Sequence, residues 1–328
     1  MIDPLVTVRA IHLAASAVAG GIVFFDCFVA GSALRGTSEA LSAIVILFRA
    51  RMTSILWISL AVAVISGAIW LLLLAADIVD RPLIEVIPDG TAWIVLTQTR
   101  FGLDWQLRLL FAVLLGGYAQ TLKRPSGRSV FWRAPAAALA AAFVGALAWA
   151  GHGGATPGNA GIVHLSADIL HLVAAAAWLG GLVPFVILLG YLRRSDRAGW
   201  TAIAGLISRR FSNLGIFAVG TLLASGVTNA SFLVGDTQGL TGTGYGRLLM
   251  LKILLFVGMV CLAAVNRQYL TPHLSGDIAE SDPDSSRRIA RKLERSAVLE
   301  IALGLAIVIV VAVLGITPPA SEAHMHIH

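Results

Sequence analysis

The chain has 328 residues, 57% of them hydrophobic and only 13% charged, with a net charge of +6. A soluble domain carries about 25% charged residues, so the composition excludes a water-soluble fold and points to a polytopic membrane protein. The basic residues sit in short loops between apolar runs, where membrane topology accounts for them and nucleic-acid binding does not.

A run of about 20 apolar residues crosses a bilayer. Eight spans are expected, at 5–34, 54–76, 102–122, 134–151, 162–191, 212–235, 247–269 and 297–316. The first run is too long for the apolar part of a cleaved signal. Residues 39–48, EALSAIVILF, are too short to span and predict an interfacial helix. The segment 77–100, with Pro82, Pro88 and Gly90, predicts an ordered loop, and 271–296 predicts the longest exposed connection. Cys27 and Cys261 lie inside apolar runs and show neither disulfide nor thiolate-metal spacing.

Lys and Arg set the orientation. Loops after odd-numbered spans hold 18 of the 24 basic residues, which predicts that those loops are cytoplasmic and that both termini are periplasmic. The chain also repeats. HLAASAVAGG (12–21) resembles HLVAAAAWLGG (171–181), with one residue inserted, and TRFGLDWQLR (99–108) resembles TGYGRLLMLK (243–252), sharing T-x-[FY]-G and a basic residue six after the glycine. The expected fold is therefore all-α, with two parallel four-helix repeats. Repeat A covers 1–160, repeat B covers 161–316, and a His-rich tail covers 317–328. GHGGATPG (151–158) resembles a phosphate loop but lacks the GK[ST] ending, so no nucleotide site is read there.

The candidate chemistry begins in span five. His164, Asp168 and His171 stand at i, i+4 and i+7, within about 60° of one another on one helix face. Polar groups inside a span face the bundle interior. They are either structural hydrogen-bonding groups or ligands for a transition ion, and three on one face favour a metal site. His152, at the end of span four, and His12, the repeat counterpart of His171, lie toward the same side and are candidate ligands. His12 could equally bond a carbonyl. Arg9 and Asp168 each stand three residues before the repeated histidine, where they could pair with each other or Arg9 could snorkel. The tail EAHMHIH places His324, His326 and His328 on one side of an extended strand, a pattern suited to metal capture. Asp26, about 21 Å deeper than His12, is a candidate ion relay or a helix-capping group. Asp104 and Arg108 have the spacing of a local ion pair.

Taken in order, H-L-x-A-x-A-x-W-L-G-G of span five, GH ending span four, T-x-[FY]-G-x5-[RK] opening spans three and seven, and TPPA after span eight resemble the CopD (PcoD) copper-resistance membrane proteins. The resemblance covers about residues 5–320. It implies an eight-span bacterial inner-membrane protein in copper homeostasis, working with a CopC-type periplasmic copper carrier and moving copper inward. Few methionines lie on the outer side, so nitrogen and oxygen ligands and Cu(II) are favoured over a thioether relay for Cu(I). With no ATPase or phosphorylation motif, transport would be passive or coupled to an ion gradient, and the chain is not expected to be an enzyme. The competing reading is a haem-binding redox protein with His12 and His171 as axial ligands. A purely structural assembly factor is a third.

Overall fold

The structure, a computed structural model, describes residues 3–34, 39–122, 130–151, 154, 156–196, 199–235, 237–274 and 282–323. It is all-helical, with no strand among the described residues. The helices are α1 (Pro4–Ala33), α2 (Glu39–Val79), α3 (Leu83–Val86), α4 (Thr91–Gln98), α5 (Arg100–Leu122), α6 (Arg133–Ala150), α7 (Gly158–Arg193), α8 (Trp200–Leu233), α9 (Thr237–Gly242), α10 (Gly244–His273), α11 (Pro283–Leu314) and α12 (Ala320–Ala323).

Local chemistry starts these helices where the chain needs them. Asp3 accepts from the Leu5 amide at 2.8 Å and Pro4 opens α1, while Asp282 accepts from the Ser285 amide at 2.9 Å and Pro283 opens α11. Thr99 and Thr243 do the same job in the two halves. Each hydroxyl accepts from a glycine amide three residues on, Gly102 or Gly246, at 3.0 Å, and donates to a carbonyl four residues back, in α4 or α9. A side chain on Gly102 or Gly246 would run into the carbonyl of Leu96 or Leu240, so only glycine lets the short helix fold back on the long one.

Among the described residues, seven helices are long and apolar enough to cross a membrane: α1, α2, α6, α7, α8, α10 and α11. The predicted third span forms as α5, with 23 residues, but it is not among the seven. Asp104, Gln106, Arg108 and Gln120 lower its apolarity. Two further expectations change. Residues 39–48 are no separate interfacial helix; they are the first turns of a 41-residue α2, because no Gly or Pro interrupts residues 39–66. The 77–100 loop contains α3 and α4, and the polar connection before the last span is helical from Pro283.

The centre of the bundle is the crossing of α1 and α7. A Cβ on Gly21 or Gly180 would overlap the backbone of the facing helix, so the two backbones touch there. Around this crossing α1 packs against α2, α6 and α11, and α7 packs against α6, α8 and α11. The outer helices α5 and α10 then lie against α2 and α6, and against α11, respectively. Both central helices widen into π-helical turns close to the crossing, at Phe25–Ala30 in α1 and Ala176–Gly180 in α7. In α7, Pro184 follows four residues after Gly180. It has no amide to return, which accounts for the widened turn.

Candidate metal centre

Nine residues before the glycine contact, each central helix presents a histidine to the next long helix. His12 Nδ1 lies 3.0 Å from Ser66 Oγ in α2, and His171 Nδ1 lies 3.0 Å from Ser225 Oγ in α8; the partners are 54 residues apart in both cases. Each serine is followed by a glycine, Gly67 or Gly226, whose bare Cα lets the imidazole lie close to the helix.

The tautomer follows from the serines. Ser66 Oγ donates to the Val62 carbonyl at 2.6 Å, and Ser225 Oγ donates to the Thr221 carbonyl at 2.6 Å. Each hydroxyl has one proton. With that proton committed, Oγ can only accept, so Nδ1 of each histidine carries the hydrogen. The Nε2 lone pair is then left without a protein donor. His12 Nε2 is buried without a partner, and no bond to His171 Nε2 is found among the described residues. Metal-ligating histidines have this form: one nitrogen is held by an outer partner and the other is offered to the ion.

The surroundings of the two rings differ. Around His12 stand Trp70, edge-on at 5.7 Å, and Arg108, which is paired with Asp104 at 3.5 Å. Arg9 lies over Trp70, with Cζ 4.6 Å from the ring centre. His12, Trp105 and Arg108 share a small cavity with room for the centre of about one water, about 10 Å³. Arg108 Nε has no hydrogen-bond partner among the described residues. This half is aromatic and carries two cations against one carboxylate. Around His171 stand Asp168, one turn earlier on the same face, and Asn229, whose Nδ2 donates to Asp168 Oδ1 at 3.2 Å. Asn229 Oδ1 is buried and unpartnered. Lys252 lies within electrostatic reach of both Asp168 and His171, and Tyr245 within reach of Asp168. This half offers an imidazole nitrogen, a carboxylate and an amide oxygen, a donor set suited to a divalent ion.

His164 is nearly fully buried, bonded through Nδ1 to Thr156 Oγ1 at 2.8 Å and stacked on Phe232 at 4.7 Å. Gly151, the residue before His152, lies over Asp168; a Cβ on it would stand 3.5 Å from Oδ2. His152, His324, His326 and His328 fall outside the described residues. Among the described residues no three His, Cys, Asp or Glu side chains gather as a metal cluster. The serines that hold His12 and His171 lie on different helices, α2 and α8. Arg9 engages Trp70, and no ion pair between Arg9 and Asp168 is found among the described residues. Asp26 accepts from Tyr118 Oη at 3.0 Å, and Tyr118 Oη also lies 3.7 Å from Cys27 Sγ. Ser66, Ser225 and Asn229 stand outside the sequence motifs, whereas Tyr245 is the aromatic of the second T-x-[FY]-G start. The pattern S-G in ISGAIW and ASGVTN, at matching places after the two histidines, carried the signal for the serines.

Fold and site define a polytopic helical membrane protein with twin imidazoles, His12 buried and His171 part-buried, each held through Nδ1. Comparison with known proteins supplies the family. The N-terminal domain model of copper resistance protein D-like proteins matches residues 1–162, and the copper resistance protein D model matches residues 205–314. Copper resistance protein D of Pseudomonas syringae pv. tomato is 30% identical over 312 residues, 93% of each chain. Inner membrane protein YebZ of Escherichia coli K12 is 32% identical over 227 residues, 69% of this chain and 72% of that one. Copper transport protein CutJ of Bacillus subtilis is 32% identical over 157 residues, 47% of this chain and 25% of that one. No solved structure matches. The chain belongs to the copper resistance protein D family and is a multi-pass inner-membrane protein.

Proposed function

We propose that the protein binds copper between its helices at the His171 centre and passes it across the inner membrane, inward, after receiving it from a CopC-type periplasmic carrier. The observation that carries this reading is the preset Nε2 lone pair of His171 beside Asp168 and the orphaned Asn229 Oδ1. His164, from the mouth of the same helix, and His152, from the end of span four, would complete the ligand set, and His324, His326 and His328 would collect the ion. His12 supplies a second, weaker ligand in the other half, and Asp26 a relay toward the cytoplasm. Nitrogen and oxygen donors favour Cu(II). Binding and transport, and no chemical conversion of a substrate, are what such a site supports.

The same reading takes the chain as eight spans in two parallel repeats, with periplasmic termini. Its support is the duplicated geometry: equal His–Ser separations, equal Thr–Gly caps on α5 and α10, and the reciprocal packing of α6 on α7 and of α11 on α1.

Metal analysis of the detergent-purified chain tests the centre. Wild type should retain copper after equilibration with a weak chelator, and the His164→Ala, His171→Ala double variant should not. Equal copper in both would overturn the proposal. No observation favours the haem alternative, and a Soret band in the purified protein would revive it.

A further inference from the structure

Helix α11 has 32 residues, so it extends about 48 Å, well beyond a hydrocarbon core of about 30 Å. One face is buried throughout: Ser286, Ala290, Leu293, Ala297 and Gly304 pack on the bundle. The opposite face is exposed and changes character once. Arg288, Arg291, Lys292 and Arg295 come first, followed at the same three-and-four spacing by Val298 and Leu299, and then, a further two turns along the same side, by Leu305 and Ile309, each of the four apolar residues about half exposed. They form a single stripe, since residues three and four apart share a helix face.

The exposed Val, Leu and Ile side chains face lipid tails. The change to cations between Val298 and Arg295 takes three residues, about 4.5 Å of rise. The layer just outside the hydrocarbon core is the headgroup region, about 5–8 Å thick on each side. Arg295, Lys292 and Arg291 begin within or just beyond that layer, and their long side chains can reach back into it. The bundle does not satisfy these charges. Arg287 is engaged by Asp196 at 2.6 Å and Asp284 at 3.7 Å, whereas Arg288, Arg291, Lys292 and Arg295 have no ion pair or hydrogen bond among the described residues.

We propose that the stripe of Arg288, Arg291, Lys292 and Arg295 on α11 binds the phosphate groups of anionic membrane phospholipids. Guanidinium groups grip phosphate through two parallel hydrogen bonds, and cations at this depth are attracted to an anionic leaflet. An acidic protein is a poorer fit, because the upper half of the same stripe is already covered by lipid.

The test uses the full chain in nanodiscs of phosphatidylcholine alone or with phosphatidylglycerol added. Wild type is compared with an Arg288→Gln, Arg291→Gln, Lys292→Gln, Arg295→Gln variant. In phosphatidylcholine the two should melt alike, since the stripe faces away from the bundle. Phosphatidylglycerol should raise the melting temperature of wild type and leave the variant nearly unmoved. Retention of phosphatidylglycerol in native mass spectrometry should fall roughly tenfold or more in the variant. If the fourfold variant does not fold, the Arg291→Gln, Arg295→Gln pair is read the same way, with a smaller loss. An equal response of wild type and variant, or no response of wild type, would overturn the proposal. Inorganic phosphate added to the phosphatidylcholine discs should not reproduce the rise; if it does, the site takes free anions and the headgroup assignment fails.

Discussion

At the scale of single residues, two serines decide what two histidines can do. A hydroxyl committed to a carbonyl can only accept, so Ser66 and Ser225 hold the imidazoles as Nδ1–H tautomers. Ser225→Ala removes the acceptor and leaves the His171 ring free to turn or change tautomer. Loss of such an outer partner lowers metal affinity by roughly 10–100-fold, and Ser225→Thr should keep most of it. Competition titration against a chromogenic copper chelator measures this; an unchanged affinity in Ser225→Ala would show that the hydrogen bond is structural only. The halves should also be unequal. A cation approaching His12 meets two cations, Arg108 and Arg9, against the one carboxylate of Asp104, whereas at His171 it meets Lys252 alone against Asp168, with the Asn229 oxygen beside it. His12→Ala should therefore cost less bound copper than His171→Ala, measured as metal per chain. The reverse order would move the site to the first half.

At the scale of helices, the molecule depends on one close crossing. A Cβ at Gly21 would overlap Gly180, and one at Gly180 would overlap the Ala17 carbonyl, so backbone meets backbone with no side chain to yield. Overpacking of a tight contact costs about 1–3 kcal/mol, and here the helices themselves must separate. Gly21→Ala should lower the melting temperature in detergent by several degrees. Gly220→Ala, where nothing lies within 4 Å of the added carbon, should leave it unchanged. Equal behaviour of the two variants would mean that the crossing carries little of the stability. This contact is legible in outline, because a GG pair follows each repeated His-Leu start, one residue later in the second repeat. So is the shared face of His164, Asp168 and His171, which needs only helical periodicity. The partners of those side chains are not. Ser225 and Asn229 come from another helix, and serine and asparagine in an apolar run look the same whether they hold a histidine or merely bond their own backbone. The length of α2 was missed for a related reason: hydropathy marks where a helix enters the membrane, not where it begins.

At the scale of the whole molecule, the open point is whether α5 crosses the membrane, and the repeat gives a physical argument that it does. α10 is long and apolar enough to span, and α5 begins with the same Thr–Gly cap, folded back on a short helix in the same way. The charges that make α5 less apolar are turned inward, Asp104 and Arg108 being buried against each other, while the uncharged Gln106 and Gln120 are exposed. Its exposed residues include Leu103, Leu107, Leu110, Val113 and Leu114, a surface that lipid would cover. An inward ion pair with an apolar exterior can sit in a bilayer where the same charges facing outward could not. Single cysteines in a chain lacking Cys27 and Cys261 test this with a membrane-impermeant maleimide applied to spheroplasts. Asp89→Cys, before α5, and Ser321→Cys, after α11, should label from outside. Ser126→Cys, after α5, should label only once the membrane is opened. Labelling of positions 89 and 126 from the same side would place α5 outside the bilayer. It would also break the two-repeat topology, because the His12 and His171 centres would then no longer be bounded by equivalent sets of spanning helices.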